Sequence, residues 1–82
     1  MSADDKAKDK IVVIEISGDM IRLGQFLKFA NFAESGAHAG AMIGDGDVLV
    51  DGEIELRRGR QLAKGMVVEV RTPTETHIAK VG

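Results

Sequence analysis

Eighty-two residues, no cysteine, 44% hydrophobic content and a formal net charge of −2 describe one small domain with a marginal core. They exclude disulfide staples and thiolate metal sites, and so small a core leaves little scope for a deep, enclosed active site. There is no apolar stretch of the signal-peptide kind at the start and no apolar run near the ~20 residues of a membrane span, so a cytoplasmic protein is expected.

Residues 1–10 alternate in charge and offer no face to bury, which predicts a disordered tail ahead of an ordered domain over 11–82. Ile11-Val12-Val13-Ile14-Glu15-Ile16 is short and β-branched, hence a strand. Ser17-Gly18-Asp19 breaks it. Leu23, Phe26, Leu27 and Ala30 then fall at helical spacing on one face, with Asp19 as a candidate cap and Asn31 at a C′ position, where Asn tolerates positive φ. Phe29 and Phe32 are expected in the core. With three Phe and no Trp or Tyr, no aromatic platform for stacking bases is apparent.

Ser35 can cap a second helix, with Ala39, Met42 and Ile43 on its inner face. Gly36 and Gly40 weaken that helix by roughly 1 kcal/mol each relative to Ala, so it depends on tertiary packing. The small residues at 36, 37, 39, 40 and 41 admit a close neighbour, either the first helix or a sugar-phosphate backbone. Gly44 or Gly46 ends the helix. Asp51-Gly52 between apolar-rich runs marks a type I′ hairpin, which needs positive φ at both central residues, with strands near 47–50 and 53–56. Lys64-Gly65 makes a further turn before Val67-Val68-Glu69-Val70, Pro73 interrupts, and Thr76–Val81 reads as a last short strand. The order is a strand, two short helices and then a small, mostly antiparallel sheet: an α+β domain.

The charge is unevenly spread. Asp45, Asp47, Asp51, Glu53 and Glu55 precede a knot of Arg57, Arg58 and Arg60. Three guanidiniums in four positions repel one another and suit an anionic partner such as phosphate. The alternative is a solvated loop whose arginines pair with Glu53, Glu55 or Glu69. A positive patch on a mildly acidic chain is compatible with nucleic-acid binding, although the net charge argues against tight non-specific binding.

Catalytic and metal-binding patterns are missing. His38 and His77 stand alone. The acids at 45, 47 and 51 lack the Gly and Glu spacing of a calcium loop, and no Gly-Lys-Ser/Thr follows Gly44-Asp45-Gly46 to make a P-loop. No cofactor, no metal and no enzymatic activity are expected.

Taken in order, Ile21-Arg22-Leu23-Gly24-Gln25-Phe26-Leu27-Lys28, Ser35-Gly36-Ala37, Gly46-Asp47-Val48-Leu49-Val50-Asp51-Gly52-Glu53, Arg57-Arg58-Gly59-Arg60 and Gly65 resemble the S-four RNA-binding domain. Its αL motif is named after small-subunit ribosomal protein S-four. The similarity covers about residues 21–70 and is to the short, stand-alone bacterial members in particular. It implies two short helices packed on a small sheet, and binding of structured RNA, ribosomal or transfer RNA, alone or beside a ribosomal or RNA-processing protein. Carried over by position, the RNA-binding residues are Arg22 and Lys28 on the first helix, Ser35, Gly36 and Ala37 at the start of the second, and Arg57, Arg58 and Arg60 in the basic loop. Three positions depart from the family pattern. Gly40 stands where many members have lysine, Asp51 where they have Asn, and Gln61 where they have lysine. Each change removes positive charge or adds negative charge, and so bears on RNA affinity more than on fold.

Two other readings are open. The same fold can serve as a protein-interaction module whose RNA face has been lost; scattered rather than contiguous basic residues would favour it. A ubiquitin-like sulfur carrier shares the Gly-Glu hairpin but needs a terminal Gly-Gly, where this chain has Lys80-Val81-Gly82. A monomer is expected, because one small core uses up the apolar positions.

Overall fold

The computed structural model describes residues 11–82; the expected tail at 1–10 lies outside them. Strand β1 is Ile11–Ile14 and β2 is Met20–Arg22. Helices α1, Leu23–Phe29, and α2, Gly36–Gly44, follow. Five strands complete the chain: β3 Val48–Val50, β4 Glu53–Ile54, β5 Gln61–Ala63, β6 Val67–Arg71 and β7 Thr76–Val81. One sheet has the order β1-β7-β6-β3-β4, with only β1 and β7 parallel; β2 and β5 form a separate antiparallel ribbon. This is the expected α+β arrangement of two helices and a mostly antiparallel sheet.

Alternation along the strands sets the core. Val48 and Val50, Val68 and Val70, Ala79 and Val81 share one sheet face and are buried. Leu23, Phe26 and Leu27 of α1, Ala39 and Ile43 of α2, and Leu62 of the ribbon cover them in one cluster. The hairpin forms as its residues dictate: Asp51 has φ 51° and Gly52 φ 88°. Asp51 adds a long-range bond, its Oδ1 accepting from the Val67 amide at 2.9 Å. Asn31 ends α1 with φ 65°. The Ser35 hydroxyl accepts the His38 amide at 3.1 Å and caps α2, and His38 Nδ1 accepts the Glu34 amide.

Several local expectations are corrected. Asp19 does not cap α1; Arg22 occupies the N-cap, because Met20 to Arg22 pair with β5 and carry the chain extended up to Leu23. Phe29 is not core but 61% exposed, since it lies off the Leu23, Phe26, Leu27 stripe. Phe32 is half-buried and stacks on His77, with ring centroids 5.3 Å apart. The first strand stops at Ile14, and β4 stops at Ile54, where the chain turns Glu55 inward. Among the described residues no helix is long and apolar enough to cross a membrane.

Candidate RNA interface

The ribbon β2–β5 builds the candidate site. It sets Arg22 opposite Gln61, so the first helix begins beside the loop 57–60. Two helix-start amides then bind that loop. Leu23 N–H donates to the Arg60 carbonyl at 2.8 Å and Gly24 N–H to the Arg58 carbonyl at 3.0 Å. A helix start needs such acceptors, and here the loop backbone supplies them. Its position is therefore fixed by main-chain bonds before any arginine side chain contributes.

Glu55 organises two of the three arginines. Its carboxylate accepts from Arg57 Nε at 2.8 Å and Nη2 at 3.2 Å, and from Arg60 Nη1 at 2.7 Å. The Arg57 amide adds a bond at 3.1 Å. The Glu55 side chain is 9% exposed, against 73% for Arg57 and 32% for Arg60. The hydrogen bond from the Arg57 side chain leads in holding the Glu55 pKa down at about 2, with Arg60 helping and burial opposing. The same contact raises Arg57 above its ordinary value. Of the acids the sequence offered as partners, Glu55 is the one used. Glu53 takes no part among the described ion pairs, and Glu69 binds Arg71 at 2.8 Å.

Arg58 behaves differently. Its stem runs across both helices where each carries a glycine. A Cβ on Gly24 would lie 2.7 Å from Arg58 Cγ, and a Cβ on Gly40 would lie 3.4 Å from both Cδ and Nη1. The close neighbour admitted by Gly40 is thus neither the first helix nor, in the free chain, a nucleic acid, but Arg58. Among the described residues no carboxylate lies within ion-pair distance of Arg58, Arg22 or Lys28. Arg22 reaches the same loop: its Nη1 would be 3.6 Å from a Cβ on Gly59.

The expected site residues therefore fall into groups. Arg57, Arg58 and Arg60 flank Gly59 in the loop, and the Arg22 head reaches Gly59; Arg57 and Arg60 turn to Glu55, and Arg58 to Gly24 and Gly40. Gly36 lies one turn before Gly40 on the same side of α2, with open space above it; Ser35 and Ala37 flank it, exposed. Lys28 sits apart, about 9 Å along the helix axis from Arg22. It lines a separate shallow groove with Gln25, Phe29, Met20 and Ile21. Sequence reasoning offered Glu55 as one of three acids that could pair with the arginines, and the structure selects it. It missed the role of Gly24, which nothing local marked. Among the described residues no cluster of His, Cys, Asp or Glu could hold a metal ion.

With this geometry in hand, the chain compares directly with known proteins. The S4 domain matches residues 14–79, and this is the S-four domain whose motifs the sequence resembles. A relative from Bacillus subtilis (strain 168), described as a probable ribosome maturation protein RlbA, is 47% identical over 57 residues, which is 70% of this chain and 80% of that protein. The family match spans both helices, the hairpin and the arginine loop, and the chain belongs to the S4 domain family.

Proposed function

We propose that this chain is an RNA-binding protein of ribosome assembly. It would bind structured RNA, ribosomal RNA ahead of transfer RNA, through Arg22, the loop at 57–60 and the adjoining start of α2 at Ser35, Gly36 and Ala37, with Lys28 as an outlying contact. The observation that carries this reading is that the Arg22 head reaches the loop bearing Arg57, Arg58 and Arg60, and that Arg22 and Arg58 lack a carboxylate partner among the described residues. The family and the ribosome maturation relative support it. The role is binding rather than catalysis. Arginine forks meet phosphate oxygens, displaced counterions drive association, and backbone shape sets preference. A bacterial cytoplasm is the setting that such a role implies.

The test is direct binding of purified bacterial ribosomal RNA across a salt series. The wild-type chain should bind, with log Kd rising linearly with log salt. Replacing Arg57, Arg58 and Arg60 together with Ala should weaken binding sharply and cut the slope by about 0.7–0.9 for each phosphate no longer neutralised. No binding by the wild type at about 50 mM salt would overturn the reading and leave the protein-interaction module in its place.

A further inference from the structure

We infer that Arg58 is the phosphate-binding cation on the helical face of this domain, and that Gly24 is the positioning residue that holds it there. The inference rests on the RNA-binding reading and deepens it by naming one interaction. Helix α2 itself, Gly36–Gly44, contains no lysine or arginine. The positive group on its outer surface comes from the loop instead, as the Arg58 guanidinium laid against Gly40.

Three observations converge on this residue. The Arg58 backbone is fixed, since its carbonyl accepts the Gly24 amide. Its stem is fixed, because it fills the space left by two absent side chains, one on each helix. Its head is bonded to no acid among the described residues, and Nη1 lies beside Gly40. Arg57 and Arg60 are bonded to Glu55, so a phosphate drawing on them must compete with a carboxylate that stays ionised down to about pH 2. Arg58 faces no such competition among the described residues. A side chain whose stem is packed before binding loses less freedom on association, and the planar fork of its guanidinium suits a phosphate oxygen pair.

The two glycines act unequally. A Cβ at position 24 would stand 2.7 Å from Cγ, near the root of the side chain, so the stem must leave. A Cβ at position 40 would touch Cδ and Nη1 at 3.4 Å, an ordinary contact. Ala is the better helix former at both sites, so neither change weakens its helix by propensity. Gly24→Ala should therefore resemble Arg58→Ala in function, whereas Gly40→Ala should not.

The experiment measures binding of purified bacterial ribosomal RNA to full-length variants between about 50 and about 200 mM salt. Arg58→Ala should weaken binding about tenfold or more, the scale of one charged hydrogen-bonded interaction, and lower the salt slope by about 0.7–0.9. Gly24→Ala should reproduce both effects. The double variant should be no worse than either single one, because both remove the same interaction. Gly40→Ala should bind as the wild type does. Independently of RNA, the Arg58 Nε–H of the free protein should show a rigid heteronuclear NOE that Gly24→Ala abolishes, which covers the case of a poorly behaved variant. Wild-type binding with an unaffected Arg58→Ala overturns this inference and leaves RNA binding standing. Additive losses from Gly24→Ala and Arg58→Ala, or a mobile Arg58 in the free protein, overturn the positioning role. A wild-type chain that does not bind removes the broader proposal, and this inference with it.

Discussion

Hydrogen bonds from Arg57 and Arg60 keep the Glu55 carboxylate ionised in the fold at pH values where a free glutamate is protonated, with its pKa near 2 instead of 4.5. A carboxylate whose folded-state pKa is depressed contributes stability in full above its unfolded value and loses it as pH falls towards the folded one. For Glu55 that window runs from about pH 4.5 to about pH 2. Glu55→Gln keeps the size and removes the charge. It should destabilise the domain at neutral pH by on the order of 1–2 kcal/mol, at the low end for bonds to charged groups because Arg57 is well solvated. The gap between wild type and variant should be constant above about pH 5 and should close as pH falls to about 2. Urea unfolding followed at several pH values checks this; a gap unchanged at about pH 2.5 would show that the ion pairs contribute nothing to stability.

Neighbouring phenylalanines distinguish the helix from its sequence pattern. Phe26 is fully buried while Phe29 is 61% exposed, so their truncations should differ by several kcal/mol. Phe26→Ala should cost about 3–5 kcal/mol, and Phe29→Ser should stay within about 0.5 kcal/mol. Denaturant midpoints decide it, and a costly Phe29→Ser would mean that the side chain is covered in solution. Elements whose determinants are local could be read beforehand. The hairpin follows from Asp51-Gly52, the α2 cap from Ser35, the α1 terminus from Asn31. The ribbon β2–β5 could not, because each strand is three residues long and pairs with a segment some forty positions away. The site was half legible for the same reason. The arginine knot was visible as composition, but its division between Glu55 and the glycine cradle depends on which helix the loop docks against. Gly40 shows this best. Along the sequence it is a position where a family lysine is missing; in space it is the bed of an arginine from residue 58.

At the scale of the whole molecule, the sheet packs one face against the helices and leaves the other partly exposed, with Leu49 buried near its centre and Ile11, Val13 and Ile54 exposed at its edges. Register places Ile11, Ile78, Glu69, Leu49 and Ile54 in one row across that outer face. The apolar positions are therefore not all consumed by the core, and a monomer must be argued from area instead. Five strands about 4.8 Å apart, with about four residues of ~3.3 Å each, give a face of roughly 300 Å². A stable interface takes ~800 Å² from each partner. The row is also interrupted at its centre by the Glu69–Arg71 ion pair, which stacking a second sheet would strip of water at a cost its Coulomb energy does not reliably offset. The apolar edge strand β1 is the remaining route to association, and its neighbour β7 already satisfies one of its two sides. The chain should sediment with the mass of one copy at micromolar concentration. Replacing Glu69 and Arg71 together with Val should then drive self-association, because it joins Ile78 to Leu49 across the sheet centre without changing the core face. A wild-type dimer at micromolar concentration, or a double variant that stays monomeric at millimolar concentration, would show that this central pair is not what keeps the outer face single.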